Sequence, residues 1–158
     1  MGDSIKALRQ VLMGEVAGAT VTRADLAGDG TLVLDAALMS AAGFVEHEKV
    51  ELYDATCGTR LSMPVASGEK GTVAVTGAAA HLVHQGDVVA VAAYGWVKEK
   101  AAARHSPRRV KVDGQNRIVS LAGGAATPLQ TKEPKKEPTK ERRAPEPITL
   151  RRSPKKGA

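Results

Sequence analysis

Short apolar segments separated by turn residues are the feature that most constrains the fold of this 158-residue chain. Segments rich in Val, Leu and Ala recur along it, and glycine, proline or aspartate interrupts them about every eight to twelve residues. Residues 49–54 alternate apolar and polar side chains with period two, which is typical of a half-buried strand. Roughly six or more short strands spaced in this way predict a mainly β protein closed into a small barrel.

The predicted elements follow from these patterns. Asp35 is expected to cap a short helix over residues 36–42, which Gly43 ends. Pro64 has no backbone N–H, so its strand lies at a sheet edge or is irregular there. Asp113-Gly114 indicates a hairpin within residues 110–119. The remaining predictions are strands at 15–22, 31–34, 49–54, 59–65, 71–76 and 88–94, of which the most apolar, 88–94, is placed at the barrel centre, and short helices at 77–83 and 98–104.

The positive charge of the chain is concentrated at its C-terminal end. Residues 125–158 contain ten Lys and Arg against four Glu, which equals the net charge of +6 for the whole chain. This segment offers little apolar surface to bury, so we predict a barrel domain at 1–124 and a disordered tail at 125–158. The tail is interpreted as a solubilising extension. The alternative is a weak, salt-dependent contact with nucleic acid or another acidic surface, without interleaved aromatic residues for base stacking.

The remaining composition points to an intracellular protein without a metal. Cys57 is the only cysteine, so no internal disulfide can form. The sequence starts with no basic-then-apolar leader, and no apolar run reaches the roughly 18–20 residues that span a membrane. The four histidines lack the spacing of a ligand set. We therefore expect a cytoplasmic protein with no membrane contact and no metal site.

The turn within residues 26–35 has the composition of a self-reacting loop. Gly28 and Gly30 flank Asp29, and Thr31 follows at the start of an apolar run. Because glycine accepts positive φ, a tight turn can bring the Thr31 hydroxyl close to the carbonyl carbon of Gly30. An N-to-O acyl shift needs this geometry and would cut the Gly30–Thr31 bond. On spacing alone, an ordinary hairpin turn is the alternative.

Several sequence pieces occur together in an order typical of one enzyme family. They are residues 22–26 (Thr-Arg-Ala-Asp-Leu), 30–31 (Gly-Thr), 35, 41–43 (Ala-Ala-Gly), 46–48 (Glu-His-Glu), 58–60 (Gly-Thr-Arg), 77–81 (Gly-Ala-Ala-Ala-His) and 86–87 (Gly-Asp). From about Leu8 to Tyr94 the chain resembles the aspartate 1-decarboxylases, pyruvoyl-dependent enzymes that make β-alanine for pantothenate synthesis. The resemblance implies a double-ψ β-barrel, a homotetramer and self-cleavage at a Gly–Ser bond, which leaves a pyruvoyl group on the new N-terminus.

The resemblance also assigns roles to individual residues. Thr31 stands at the cleavage serine, so it is the expected nucleophile and the precursor of a 2-oxobutanoyl group in place of pyruvoyl. Arg60 corresponds to the arginine that pairs with a substrate carboxylate. Gly77, Ala78 and Ala79 correspond to backbone contacts with the substrate. The implied reaction forms an imine between the 2-oxoacyl group and a small amino acid and drives its α-decarboxylation, from aspartate to β-alanine in the family.

Other positions depart from the family pattern. Glu15 replaces a carboxylate-binding lysine, and Gly28 replaces an assisting tyrosine. Met63 and Pro64 replace a Thr-Tyr pair that contacts and protonates the substrate, and Thr76 replaces an asparagine. A carboxylate at position 15 opposes an acidic substrate by like-charge repulsion, so a neutral or basic amino acid is an alternative substrate. The lost polar groups also support a second hypothesis, an uncleaved, non-catalytic barrel that acts as a structural or regulatory subunit.

Overall fold

A computed structural model describes residues 7–124, and the predicted tail at 125–158, with any contact proposed for it, lies outside the described residues. The described part of the chain is mostly strand, with short helical segments between the strands, and the mainly β class is confirmed. The elements are β1 (Leu8–Thr20), β2 (Arg23–Asp25), β3 (Leu32–Asp35), α1 (Ala36–Ala42), β4 (Lys49–Asp54), β5 (Arg60–Gly68), β6 (Val73–Thr76), a 3₁₀ turn (Gly77–His81), β7 (Val88–Lys98), α2 (Glu99–Ala102), β8 (Arg108–Val112) and β9 (Ile118–Ala122).

The strands form one mixed sheet in the order β2-β6-β3-β5-β4-β7-β1-β8-β9. The pairs β2–β6, β3–β5 and β1–β8 are parallel, and the other neighbours are antiparallel. Strand β5 changes partner along its length: residues 60–64 pair with β4, and residues 65–68 pair with β3. Pro64 is the last residue of β5 that pairs with β4 before this change of partner, which agrees with the predicted irregularity.

Valine, leucine and alanine side chains fill the core, as their abundance predicts. Val16 of β1, Val91 of β7 and Leu52 of β4 lie side by side in register, and all three are fully buried. Since side chains alternate along a strand, the neighbouring row, formed by Glu15, Ala92 and Glu51, faces away from this core. The sheet therefore has a dry inner face and an outer face that carries charged groups.

Helix α1 has the predicted caps at both ends. Asp35 Oδ1 accepts a hydrogen bond from the Ala37 N–H at 2.7 Å, and Gly43 ends the helix in the left-handed conformation with φ 79°. The second carboxylate oxygen of Asp35 accepts from the Gly71 N–H at 2.7 Å. A single buried carboxylate therefore joins the start of α1 to the turn before β6.

Several elements differ from the sequence prediction. Strand β2 was not predicted, and β7 continues to Lys98 rather than ending at residue 94. Strand β1 begins at Leu8 rather than residue 15, because bulges at 12–14 and 17–19 break the alternation that marks a strand. The connection between β8 and β9 spans residues 113–117 rather than a two-residue Asp-Gly turn, and Asn116 supplies the positive φ of 59°. Helix α2 covers only four residues. No helix in the described range 7–124 is long and apolar enough to span a bilayer.

The side chain of Asn116 joins chain segments that are distant in sequence. We expect its removal to lower the stability of the fold. This side chain is buried, accepts from the Thr20 N–H at 2.8 Å and donates to the carbonyls of Thr20 and Gly71 at 2.9 and 3.0 Å. Asn116→Ala removes these bonds and puts alanine at positive φ, so the free energy of unfolding should fall by about 2–4 kcal/mol. Urea denaturation measures the change.

The matched control is Gln115→Ala in the same turn, which should change the free energy of unfolding by less than about 0.5 kcal/mol because Gln115 is exposed. Equal losses in the two variants would show that the bonds of Asn116 to Thr20 and Gly71 do not stabilise the fold.

Candidate functional site

The loop between β2 and β3 contains the predicted cleavage bond. Strand β6 lies between these two strands in the sheet, so the loop crosses the end of β6. Gly28 and Gly30 have φ values of 119° and 81°, as the predicted tight turn requires. Both values lie in the region that L side chains rarely adopt, so the glycines determine the path of the chain into Thr31.

Thr76, the last residue of β6, holds the backbone of Thr31 on two sides. The Thr31 N–H donates to Thr76 Oγ1 at 3.0 Å. The Thr31 carbonyl accepts from the same hydroxyl at 3.0 Å and from the Thr76 N–H at 3.1 Å. A hydroxyl that accepts and donates in this way fixes the orientation of the backbone on both sides of the Thr31 Cα.

The side-chain hydroxyl of Thr31 has an acidic neighbour. Thr31 Oγ1 donates to Asp29 Oδ1 at 2.9 Å. A carboxylate at hydrogen-bond distance from a hydroxyl can accept its proton when the oxygen attacks a carbonyl carbon. Asp29 had no predicted role, although its position two residues before Thr31 is a signal for a local side-chain contact of this kind.

Gly77 brings the predicted substrate-binding segment, residues 77–79, against the loop between β2 and β3, residues 26–31, which we call the cleavage loop. A Cβ atom at Gly77, whose φ is 69°, would lie 2.6 Å from the Gly30 nitrogen and 3.1 Å from the Gly28 carbonyl oxygen. Only glycine permits this approach. Gly77 is buried, and Ala78 and Ala79 continue from it into the 3₁₀ turn. The structure therefore brings together two sequence segments that were predicted separately to act at one site.

Arg60 lies elsewhere, on the outer face of the sheet at the start of β5. Its guanidinium carbon lies 4.7 Å from the centroid of the Tyr53 ring, and its Nε lies 3.4 Å from Glu51 Oε2. The Tyr53 hydroxyl is 2.9 Å from that of Tyr94. The side chain of Arg60 is 62% exposed. Stacked and paired in this way, Arg60 is oriented while remaining accessible to a carboxylate from outside.

Glu51, the carboxylate partner of Arg60, is held in its ionised form. A hydrogen bond from the Ser62 hydroxyl to Glu51 Oε1 at 2.5 Å is the main cause that lowers the pKa of Glu51 below its ordinary value. Arg60 adds to this lowering and burial opposes it. The charge of Arg60 is therefore partly balanced before any ligand binds.

Glu15 has a basic partner that the resemblance does not include. Arg109 of β8 places Nη1 3.3 Å from Glu15 Oε2, and the side chain of Glu15 is 25% exposed. The position of Arg109 follows from the parallel pairing of β1 with β8, in which Glu15 and Arg109 are direct partners. The predicted repulsion of an acidic substrate by Glu15 is therefore reduced by a cation on the neighbouring strand.

Arg60 and the cleavage bond are not brought together within one chain. The β3–β5 register pairs Leu32 with Val65, which puts Pro64 beside Thr31. Arg60 precedes Pro64 by four residues, or roughly 13 Å along an extended strand. Among the residues described, no hydrogen bond or ion pair links Arg60 to Thr31 or Thr76.

The two residues of β5 next to Thr31, Met63 and Pro64, have no polar side chain. Met63 is 5% exposed and contributes to the core, and Pro64 has neither a polar side chain nor a backbone N–H. The phenol and hydroxyl that the resemblance implies at these positions have no replacement in Met63 or Pro64. Two surface clefts of about 620 and 440 Å³ lie elsewhere, one beside Asn116 and α1 and one beside Thr22 and Thr72.

Comparison with known proteins decides the family. The aspartate decarboxylase family matches residues 7–119, which is most of the chain. The chain belongs to the aspartate decarboxylase family. One relative is the aspartate 1-decarboxylase of Corynebacterium efficiens, which is 41% identical over 124 residues, covering 77% of this chain and 91% of that protein. The family resemblance stated from the sequence is confirmed, and the match includes the cleavage loop, Arg60 and the Gly-Ala-Ala segment.

Replacement of Gly77 tests the close approach on which this site depends. Gly77→Ala adds a Cβ that collides with Gly30, whereas Gly71→Ala, at φ 78°, adds one that contacts nothing within 4 Å. Both variants carry a similar backbone strain. Gly77→Ala should therefore reduce the free energy of unfolding by at least about 1–3 kcal/mol more than Gly71→Ala in urea denaturation. Equal losses of unfolding free energy in the two variants would mean that the Gly77 and Gly30 segments are not in close contact.

Proposed function

We propose that this chain is an α-decarboxylase of a small amino acid that activates itself by cleavage between Gly30 and Thr31. The observation that carries the proposal is the arrangement at Thr31, whose hydroxyl donates to Asp29 and whose backbone is held by Thr76. Membership of the aspartate decarboxylase family supports the reaction class. Aspartate is the first substrate to test, because the C. efficiens relative is named aspartate 1-decarboxylase.

The cleavage uses only groups of this chain and one water molecule. Thr31 Oγ1 attacks the Gly30 carbonyl carbon while Asp29 accepts the hydroxyl proton. The C–N bond then breaks, its nitrogen takes up a proton, and an ester joins Gly30 to Thr31. Loss of the Thr31 Cα proton breaks the Cβ–Oγ1 bond and releases Gly30 as a carboxylate. Water then replaces the nitrogen, which leaves as ammonia, and residue 31 becomes a 2-oxobutanoyl group.

The residues around Thr31 fit such a group. The 2-oxobutanoyl group keeps the backbone carbonyl of residue 31. Thr76 already donates two hydrogen bonds to this carbonyl oxygen. Gly77 leaves no room for a side chain at the point where the loop crosses β6. When present, the 2-oxoacyl group supplies an electron-withdrawing carbonyl that stabilises the electron pair left by a departing carboxylate.

A second copy of the chain completes the proposed site. Arg60 precedes the position beside Thr31 by four residues of β5 and forms no hydrogen bond with Thr31 of its own chain, so we assign the carboxylate-binding role to Arg60 of a neighbouring subunit. This assignment fits the homotetramer that the family resemblance implies, and the cytoplasmic location likewise remains a prediction. The pairing of Glu15 with Arg109 supports an acidic substrate on this face, because the negative charge of Glu15 is already balanced.

Variants of Thr31 test the cleavage directly. The unaltered protein should separate under denaturing conditions into chains that cover residues 1–30 and 31–158. Thr31→Ser should also cleave and leave a pyruvoyl group, since it keeps the hydroxyl. Thr31→Val has the same shape without the hydroxyl, so it should remain a single chain. Intact-mass spectrometry gives the result, and a cleaved Thr31→Val variant would exclude the acyl shift.

Asp29 is expected to set the rate of cleavage. Asp29→Asn keeps an oxygen that accepts the Thr31 hydroxyl but removes the base, so cleavage should slow by about 10²-fold. The control is Asp25→Asn, because Asp25 Oδ1 also accepts a local hydrogen bond, from the Ala27 N–H, yet does not contact Thr31. A time course of cleavage products on a denaturing gel measures both rates. Equal rates in the two variants would remove Asp29 from the mechanism.

Arg60 is expected to act in substrate binding. Arg60→Lys keeps one positive charge but loses the planar fork and the stacking on Tyr53. The KM for aspartate should rise at least about tenfold while kcat changes less than about threefold. Arg9→Lys, which alters an exposed pair with Glu99, is the matched control and should leave both constants unchanged. An unchanged KM in Arg60→Lys would contradict the assigned role.

One observation favours a second candidate function, the uncleaved barrel acting as a structural or regulatory subunit. Met63 is buried and Pro64 has no donor, so the position beside Thr31 lacks the polar groups that the resemblance implies there. A barrel of this kind would remain one chain of 158 residues and would show no decarboxylation of any amino acid. The same mass measurement on the unaltered protein therefore distinguishes the two functions.

A further inference from the structure

Three side chains that the proposed reaction does not use meet at the turn that follows β4. Asp54 is the last residue of β4, Cys57 lies in the turn, and Asp87 directly precedes β7. One ligand atom from each, a carboxylate oxygen or the Cys57 Sγ, lies within 4.8 Å of the other two. These three donors come from two segments about 30 residues apart in the sequence, so no local sequence motif identifies them.

Asp54 is buried with one oxygen unpartnered. Its residue is 3% exposed, and Oδ1 accepts from the N–H groups of Thr56 and Cys57 at 2.8 and 3.2 Å. Oδ2 is buried and has no hydrogen-bond partner. Because a buried carboxylate oxygen without a partner is costly, this atom needs a proton donor or a cation.

The neighbouring charges do not supply that cation. Asp87 Oδ2 accepts from the His84 N–H at 2.7 Å and lies 3.7 Å from His84 Nδ1. Within residues 7–124, no lysine or arginine forms an ion pair with Asp54 or Asp87. Two adjacent carboxylates without a lysine or arginine partner share a proton or bind a metal ion.

The third donor favours the metal ion over the shared proton. The Cys57 sulfur lies within 4.8 Å of a carboxylate oxygen of both aspartates. A sulfur ligand beside carboxylate oxygens is a donor set that Zn²⁺ accepts.

We propose that Asp54, Cys57 and Asp87 form a Zn²⁺ site, with the His84 imidazole as the fourth ligand. One sulfur, two carboxylate oxygens and one ring nitrogen are donors that Zn²⁺ accepts in tetrahedral geometry, whereas Mg²⁺ and Ca²⁺ prefer oxygen alone. The side chain of His84 is 69% exposed, and its Nδ1 lies 3.7 Å from Asp87 Oδ2. The spacing of the four histidines does not reveal this site, because only one of its proposed ligands is a histidine and two are aspartates.

The site would hold the turn that leads into β5. Arg60 follows Cys57 by three residues, so a metal ion at this turn would restrain the segment on which Arg60 stands. This consequence rests on the proposed function of Arg60, whereas metal binding itself does not depend on it.

Metal titration of the full chain tests the proposal. After treatment with a chelator, the protein should take up one Zn²⁺ per chain in equilibrium dialysis with a micromolar or tighter Kd. Co²⁺ should produce the absorption band of a thiolate–cobalt bond. Cys57→Ser should abolish this band and weaken Zn²⁺ binding at least about tenfold, and Asp54→Asn should weaken Zn²⁺ binding to a similar degree. Glu69→Gln, which removes one exposed carboxylate from another turn, is the control and should bind Zn²⁺ like the unaltered protein.

Two results would overturn the proposal. The first is no Zn²⁺ uptake at about 1 mM metal, the concentration at which even a weak site is occupied. The second is unchanged binding in Cys57→Ser, which would place the metal elsewhere. Cys57 is exposed, so this variant decides the matter even where Asp54→Asn fails to fold. Self-cleavage at Thr31 is measured on the same samples, so failure of the proposed function remains separate from failure of metal binding.

Discussion

The close contact between the end of β6 and the loop that crosses it is the constraint on which the candidate site depends. Gly77 approaches Gly30 so closely that no Cβ fits between them, and Thr76 bonds the Thr31 backbone on two sides. The contact exists because β6 is paired with both β2 and β3, the strands that the loop connects. The sheet order therefore converts a flexible glycine turn into a fixed geometry around one hydroxyl.

The fold places self-cleavage and substrate binding, the two steps of the proposed reaction, in different parts of the chain. The cleavage loop lies where β6 ends, whereas Arg60, Tyr53 and Glu51 lie on the outer face of β4 and β5. The change of partner along β5 produces this separation, since its first half belongs to β4 and its second half to β3. In the proposed site, Arg60 of one chain acts beside the 2-oxoacyl group of another, which would give the predicted oligomer a chemical role.

Local signals in the sequence were sufficient for some elements and insufficient for others. The caps of α1 at Asp35 and Gly43 were predictable because each depends on one residue and its immediate neighbours. The start of β1 at Leu8 was not predictable, because the bulges in this strand interrupt the alternation of apolar and polar residues that identifies a strand. Pairings across the sheet were also missed: Arg109 meets Glu15, and Asp54 meets Asp87, only because strands distant in sequence become neighbours.

The electron density of a crystal of the purified, unaltered protein tests the central claim most directly. Our account predicts that the density ends at the carboxylate of Gly30 and begins again at residue 31, with a planar 2-oxobutanoyl group whose amide oxygen remains bonded to Thr76. Continuous density from Gly30 into a threonine with an intact amide nitrogen would contradict the account. In that case the fold and the family would remain, and the proposed self-activation would be wrong.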